Sequence, residues 1–189
     1  MRSLVFLIVW VTASAIAAEP PLTLYWKDLM PEGGHEALER QQSAYLASVE
    51  EKLRSQTPQS LLSAGRAGGY SAIAEGSAFD VMPQLGTYDV VEELDGVRVR
   101  VPGFVTPFEY SASGKIKEFL LVPYFGACIH TPPPPPNQMV YVTAKKALPL
   151  GDQWRPIWAT GVLRAKRYDS ELGGSAYTLE IEAWEIFDG

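Results

Sequence analysis

The chain has a single cysteine, Cys128, and only two histidines in 189 residues. One thiol excludes an intramolecular disulfide, so the apolar core must carry the stability. Five Trp, nine Tyr and seven Phe are enough for such a core. A basic face is also lacking. The net charge is -6 and the cations are scattered: Arg98 and Arg100 alternate with valines, and Arg164, Lys166 and Arg167 fall near one strand end. An acidic surface of this kind is a poor match for a phosphate backbone, which weighs against nucleic acid as a partner. There is no G-x-S-x-G, H-E-x-x-H or repeated-aspartate motif, so the chemistries those motifs carry have no support here. The Gly65-x-x-Gly68-Gly69 stretch is no phosphate loop, because no Lys-Ser/Thr follows it. Beyond the first residues, no apolar run is long enough to cross a membrane as a helix.

The beginning of the chain reads as an export signal. Arg2 supplies a short positive region, Leu4 to Val11 an apolar core too short to span a bilayer, and Ala15-Ile16-Ala17 a small-residue cleavage pattern. Cleavage is expected after Ala17 or Ala18, with a periplasmic product that has no transmembrane segment; a retained anchor fits the short core less well. No cysteine follows the apolar core, so no lipid-anchoring residue stands there. The apolar fraction of 47% and charged fraction of 20% describe one soluble globular domain.

The organisation then reads as residues 1–17, the signal; 18–58, a lead and helix; 59–86, an irregular connection; and 87–189, a β domain. The lead ends at the breakers Pro31, Gly33 and Gly34. From His35 to Arg54, Leu38, Tyr45, Leu46, Val49 and Leu53 fall on one helical stripe, and Thr57-Pro58 closes it. Residues 59–86 are rich in Gly, Ala and Ser and carry little periodicity. The β pattern starts with a short strand at Tyr88 to Val91, a hairpin signal at Asp95-Gly96, and alternation through Val97, Val99 and Val101. Glu118 to Tyr124 is a nearly continuous apolar run, as a strand covered on both faces requires. Val140 to Val142 and Ile157 to Ala165 give two more strands, with Gly161 at a bend. In the last strand, Tyr177 to Phe187, the alternation slips at Ala183-Trp184, which predicts a bulge. Five to six bent strands without α/β alternation predict a mainly β (α+β) fold: a small OB-like β-barrel with an N-terminal amphipathic helix. An open sandwich is the second choice.

One segment carries the functional signal: Gly126-Ala127-Cys128-Ile129-His130-Thr131, then Pro132 to Pro136, then Asn137-Gln138. Five prolines at about 3.1 Å each make a stiff rod of roughly 15 Å that lacks backbone donors. Such a rod cannot be a central strand and belongs at an edge or surface, docked on aromatics such as Trp26, Tyr124, Trp154 or Trp158, or on a partner. If the extension continues backwards, Cys128 and His130 share a face, as side chains two apart in a strand do. Three readings follow. Cys128 is a small buried hydrophobe whose histidine neighbour bonds a carbonyl. Alternatively, the pair holds a soft or borderline ion such as zinc or Cu(I), with further ligands from elsewhere. Or Cys128 is a reactive or redox thiol, as in a thiol-dependent enzyme.

This segment, together with Leu94 to Tyr110 (LDGVRVRVPGFVTPFEY) and Ala159 to Leu163 (ATGVL), resembles an exported bacterial family, the domain of unknown function 3299. Trp26 to Pro31 (WKDLMP) is similar to the family's usual start. The resemblance implies a periplasmic companion of ABC-type transport systems, in some cases near zinc-responsive genes, and brings no established activity. It singles out Cys128, His130, Asn137 and Gln138, and favours metal handling over a merely buried thiol. The expectation is a non-enzymatic periplasmic accessory protein binding a transport-system component, with zinc at Cys128 and His130 and binding contacts at Asn137 and Gln138. A thiol-dependent enzyme or a purely structural module is the alternative.

Overall fold

The computed structural model describes residues 19–55, 83–108, 115–127, 133–149 and 155–188, without the Leu53 side chain. The expected signal, most of the irregular connection, and Cys128 and His130 lie outside the described residues. Among the described residues, no helix is long and apolar enough to cross a membrane.

The strands are β1 (Leu22–Thr23), β2 (Arg98–Pro107), β3 (Lys115–Val122), β4 (Val140–Pro149), β5 (Ile157–Arg164), β6 (Tyr168–Ser170), β7 (Gly173–Ser175) and β8 (Tyr177–Ile186); the helix α1 is Gly34–Ser55. Five of them close a mixed barrel in the order β2-β3-β4-β8-β5, with β5 returning to β2. All neighbours are antiparallel except β4 and β8, which run parallel. This is the OB-like barrel expected from the strand pattern. β1 adds in parallel to β2 at Val99 and Arg100, and β6 and β7 form a separate hairpin between β5 and β8.

Alternation decides what the barrel buries. Val99 and Val101 of β2 are fully buried, while Arg98 and Arg100, alternating with them, reach outward. β3 breaks the alternation because it is covered twice. Phe119 and Leu121 join the barrel interior with Val140, Val142, Leu163, Tyr177 and Leu179. Leu120 and Val122 point the other way, into a second cluster with Ala127 and Met139. The continuous apolar run in the sequence reflects those two covers.

The phase slip near Ala183 is a real bulge. Thr160 faces Ala183 but Gly161 faces Ile181, so Glu182 is the extra residue. Gly161 is required there, since a Cβ would collide with the Glu180 carbonyl.

Three expectations need correction. Tyr88 to Val91 is not a strand but extended chain leading into a 3-10 turn at Glu92–Leu94. Its backbone is held by side chains instead, Val91 N–H donating to the Tyr177 hydroxyl at 2.7 Å. Asp95-Gly96 does turn, with Gly96 at φ 78, but with no strand before it there is no hairpin. On α1 the half-buried stripe runs through Ala37, Leu38, Gln41, Tyr45 and Val49, while Leu46 is 57% exposed. Gln41 takes the inward place because its Oε1 accepts the Gly86 N–H at 2.7 Å.

Candidate functional site

The described half of the proline motif is a hub rather than a projecting rod. Pro134 and Pro136 are buried, and Pro136 opens a 3-10 turn over Pro136–Gln138. Proline is well placed there, because the first turn of a helix has no use for its missing N–H. The run packs on backbone at glycines, and its Pro136–Gln138 turn also lies against the Trp26–Leu29 turn. A Cβ on Gly86, at φ +112, would meet the Pro135 ring, and one on Gly173 would touch Pro133.

The carbonyls of the run are used. Gln84 Nε2 donates to Pro134 O at 2.7 Å and to Gly174 O at 2.8 Å, and Gln84 Oε1 accepts Gly174 N–H at 2.8 Å. Ala176 N–H donates to Pro136 O at 2.8 Å. One glutamine therefore ties the motif to the β6–β7 hairpin.

Asn137 and Gln138 face inward. Asn137 is 2% exposed and its Nδ2 donates to Asp89 O at 3.3 Å, while its Oδ1 accepts no hydrogen bond among the described residues. Gln138 Nε2 donates to Trp26 O at 2.8 Å and to Asn137 O at 3.0 Å. These two amides join the lead and residues 83–91 to the barrel. Tyr177 completes the connection: its hydroxyl donates to Leu29 O at 2.9 Å while accepting from Val91. Burial, more than any neighbouring charge, raises the pKa of that phenol.

Ala127, immediately before Cys128, is fully buried, and Pro133, after Thr131 and Pro132, is half-buried. Both flanks of the Cys128-Ile129-His130 stretch are thus fixed to the body. Among the described residues, no group of three or more His, Cys, Asp or Glu side chains is arranged to hold a metal ion.

Beside the hub, Tyr141 of β4, Phe108 just after β2 and Tyr168 of β6 form an aromatic group. Tyr141 stacks on Tyr168, with ring centres 3.6 Å apart and planes within 7°, and Phe108 meets both at 5.9 Å. Tyr141 donates to Glu118 at 2.9 Å; burial first, then that carboxylate, pushes its pKa well up. The hairpin is pinned at the other end by Asp169, which accepts from Tyr88 at 2.7 Å and from Arg167 at 2.8 Å. Those two donors, Arg167 first, hold the Asp169 carboxyl below its usual range. Arg167 also lies over the Tyr88 ring at 3.8 Å. A cleft of about 390 Å³ runs along β4, β8 and β5 under Arg164, Lys166 and Tyr168. Its acids are already paired, Glu180 with Lys145 and Glu182 with Arg98.

A closed five-stranded OB-like barrel with a proline-anchored hub defines the class of protein. The family model described as a protein of unknown function, DUF3299, matches residues 26–186, and the chain belongs to that family. Its fold is similar to the crystal structure of a DUF3299 family protein from Pseudomonas aeruginosa PAO1. The TM-score is 0.61 and the identity 27%, over 90% of this chain and 99% of that one. No curated protein matches it.

Asn137 and Gln138 stood out in the sequence because both follow the proline run directly, and the contacts seen for them are bonds within the protein. Gln84 did not stand out, because it sits in a stretch without periodicity and acts through contacts 50 and 90 residues away.

Proposed function

We propose that this chain is an exported, non-enzymatic accessory protein of the periplasm that binds a component of an ABC-type transport system and holds zinc through Cys128 and His130. The observation that supports the metal reading is the mounting of the motif. Its described flanks, Ala127 on one side and Pro133 to Gln138 on the other, are tied into the body through Gln84, Trp26 and Ala176. A short stretch held at both ends loses little further entropy when two of its side chains bind one ion. Further ligands come from this chain or from the bound partner.

Metal analysis of protein purified without a histidine tag tests the site. Bound zinc is expected in the native protein, and Cys128→Ser or His130→Ala should each remove most of it, since losing even a group that only orients a ligand costs about ten- to a hundred-fold in affinity. Unchanged zinc or copper in both variants would refute it. For the partner, a photo-crosslinking amino acid in place of Tyr124, which is 42% exposed next to the motif, should give an adduct with a transport-system component in the producing cell. Recovery of no such component contradicts that half of the proposal.

A further inference from the structure

The far end of β8 is an open strand edge. β8 pairs with β4 only from Tyr177 to Ile181, although it pairs with β5 as far as Ile186. The cause lies in β4. It takes five residue steps, Thr143 to Leu148, where β3 takes two, Glu118 to Ile116. The surplus residues bow β4 away, and a cleft of about 290 Å³ opens between it and β8.

The hydrogen-bond phase of the open edge is fixed by one contact. Phe187 N–H donates to Pro156 O at 2.9 Å. Bonded pairs alternate along an antiparallel ladder, so Glu185 and Ala183 bond β5 through their partners Trp158 and Thr160. Trp184 and Ile186, opposite Ala159 and Ile157, then turn their N–H and C=O groups away from β5, and Trp184 lines the cleft. Among the described residues, no strand pairs with that edge. Ala183, Trp184 and Glu185 are also exposed.

We propose that this edge, Ala183–Ile186, docks an extended peptide segment of a partner protein as an added strand. Donor and acceptor pairs two residues apart match an extended backbone. The cleft floor of Ala144, Leu148, Ile181 and Trp184 takes alternate apolar side chains. Lys146, exposed on the rim and without an ion pair among the described residues, favours an acidic residue on the incoming segment. The surface makes no use of Cys128 or His130, so loss of zinc and loss of peptide binding are separate results.

The test uses the mature chain and an acetylated, amidated heptapeptide that alternates valine and threonine between terminal glutamates. On titration, the Trp184 and Ile186 amide signals should shift, and their exchange should slow by about tenfold or more at saturation. The same peptide N-methylated at each valine and threonine should not bind. Ile186→Pro removes an N–H that points away from β5 along the open edge and should fold yet lose the peptide, as proline is tolerated on an open edge. If that variant does not fold, the N-methylated peptide still decides. No shift at millimolar peptide, equal binding of the N-methylated form, or a free-chain dimer that buries Trp184 would overturn the proposal.

Discussion

The two halves of β8 live in different surroundings. From Tyr177 to Ile181 the strand is paired on both sides, and Tyr177, Leu179 and Ile181 are buried. From Ala183 to Glu185 the same strand is paired on one side and exposed. The Glu182 bulge divides them. The first half, with the proline hub against it, holds the molecule together. The second half adds little to the core and keeps backbone groups available. In an OB-like barrel, stability and availability can thus be separated along one strand by a single extra residue.

That contrast can be broken most severely inside the closed half. Phe119→Ala, at a fully buried position in the barrel core, should cost about 3–5 kcal/mol in denaturant unfolding. A loss under about 1 kcal/mol would mean that the interior is not packed as described. Tyr177→Phe keeps the ring but leaves Leu29 O and Val91 N–H without their partner. It should cost about 1–3 kcal/mol, with the lead loosening first in proteolysis. Gln84→Ala, which frees Pro134 O and both Gly174 groups, should cost a similar or smaller amount and mobilise the β6–β7 hairpin.

Smaller effects sharpen the picture at the surface. The Asp169 carboxyl is held below its ordinary value of 3.8 by Arg167 and Tyr88. A depressed folded pKa contributes stability above the unfolded value, and that contribution disappears as pH falls through the folded value. The Tyr88 ring should therefore change its environment on acidification below about pH 4, and Asp169→Asn should abolish that transition. At the other extreme, Trp184→Ala in the open half should alter stability by no more than about 0.5 kcal/mol, although it removes a wall of the β4–β8 cleft.

Much of the barrel was legible in the sequence, for identifiable reasons. Val99 and Val101 alternate with arginines, the Phe119 to Val122 run is continuous because both faces are covered, and Ala183-Trp184 breaks phase at the bulge. Tyr88 to Val91 misled, because apolar residues tied down by one tyrosine hydroxyl read like a strand. The proline run was rightly excluded from the sheet, but its burial was not foreseen. Glycines at 86 and 173 create its seat, and that is a matter of long-range contact, not of local pattern. The open edge was invisible as well, because it depends on β4 bowing away from a strand more than thirty residues later.

Residue-resolved amide exchange along β8 in the free protein tests the central claim most directly. Leu179 and Ile181 should exchange at rates close to global unfolding, whereas Trp184 and Ile186 should exchange orders of magnitude faster, with Ala183 and Glu185 in between. Protection of Trp184 and Ile186 equal to that of Leu179 would contradict the account, because the strand would then be closed along its whole length.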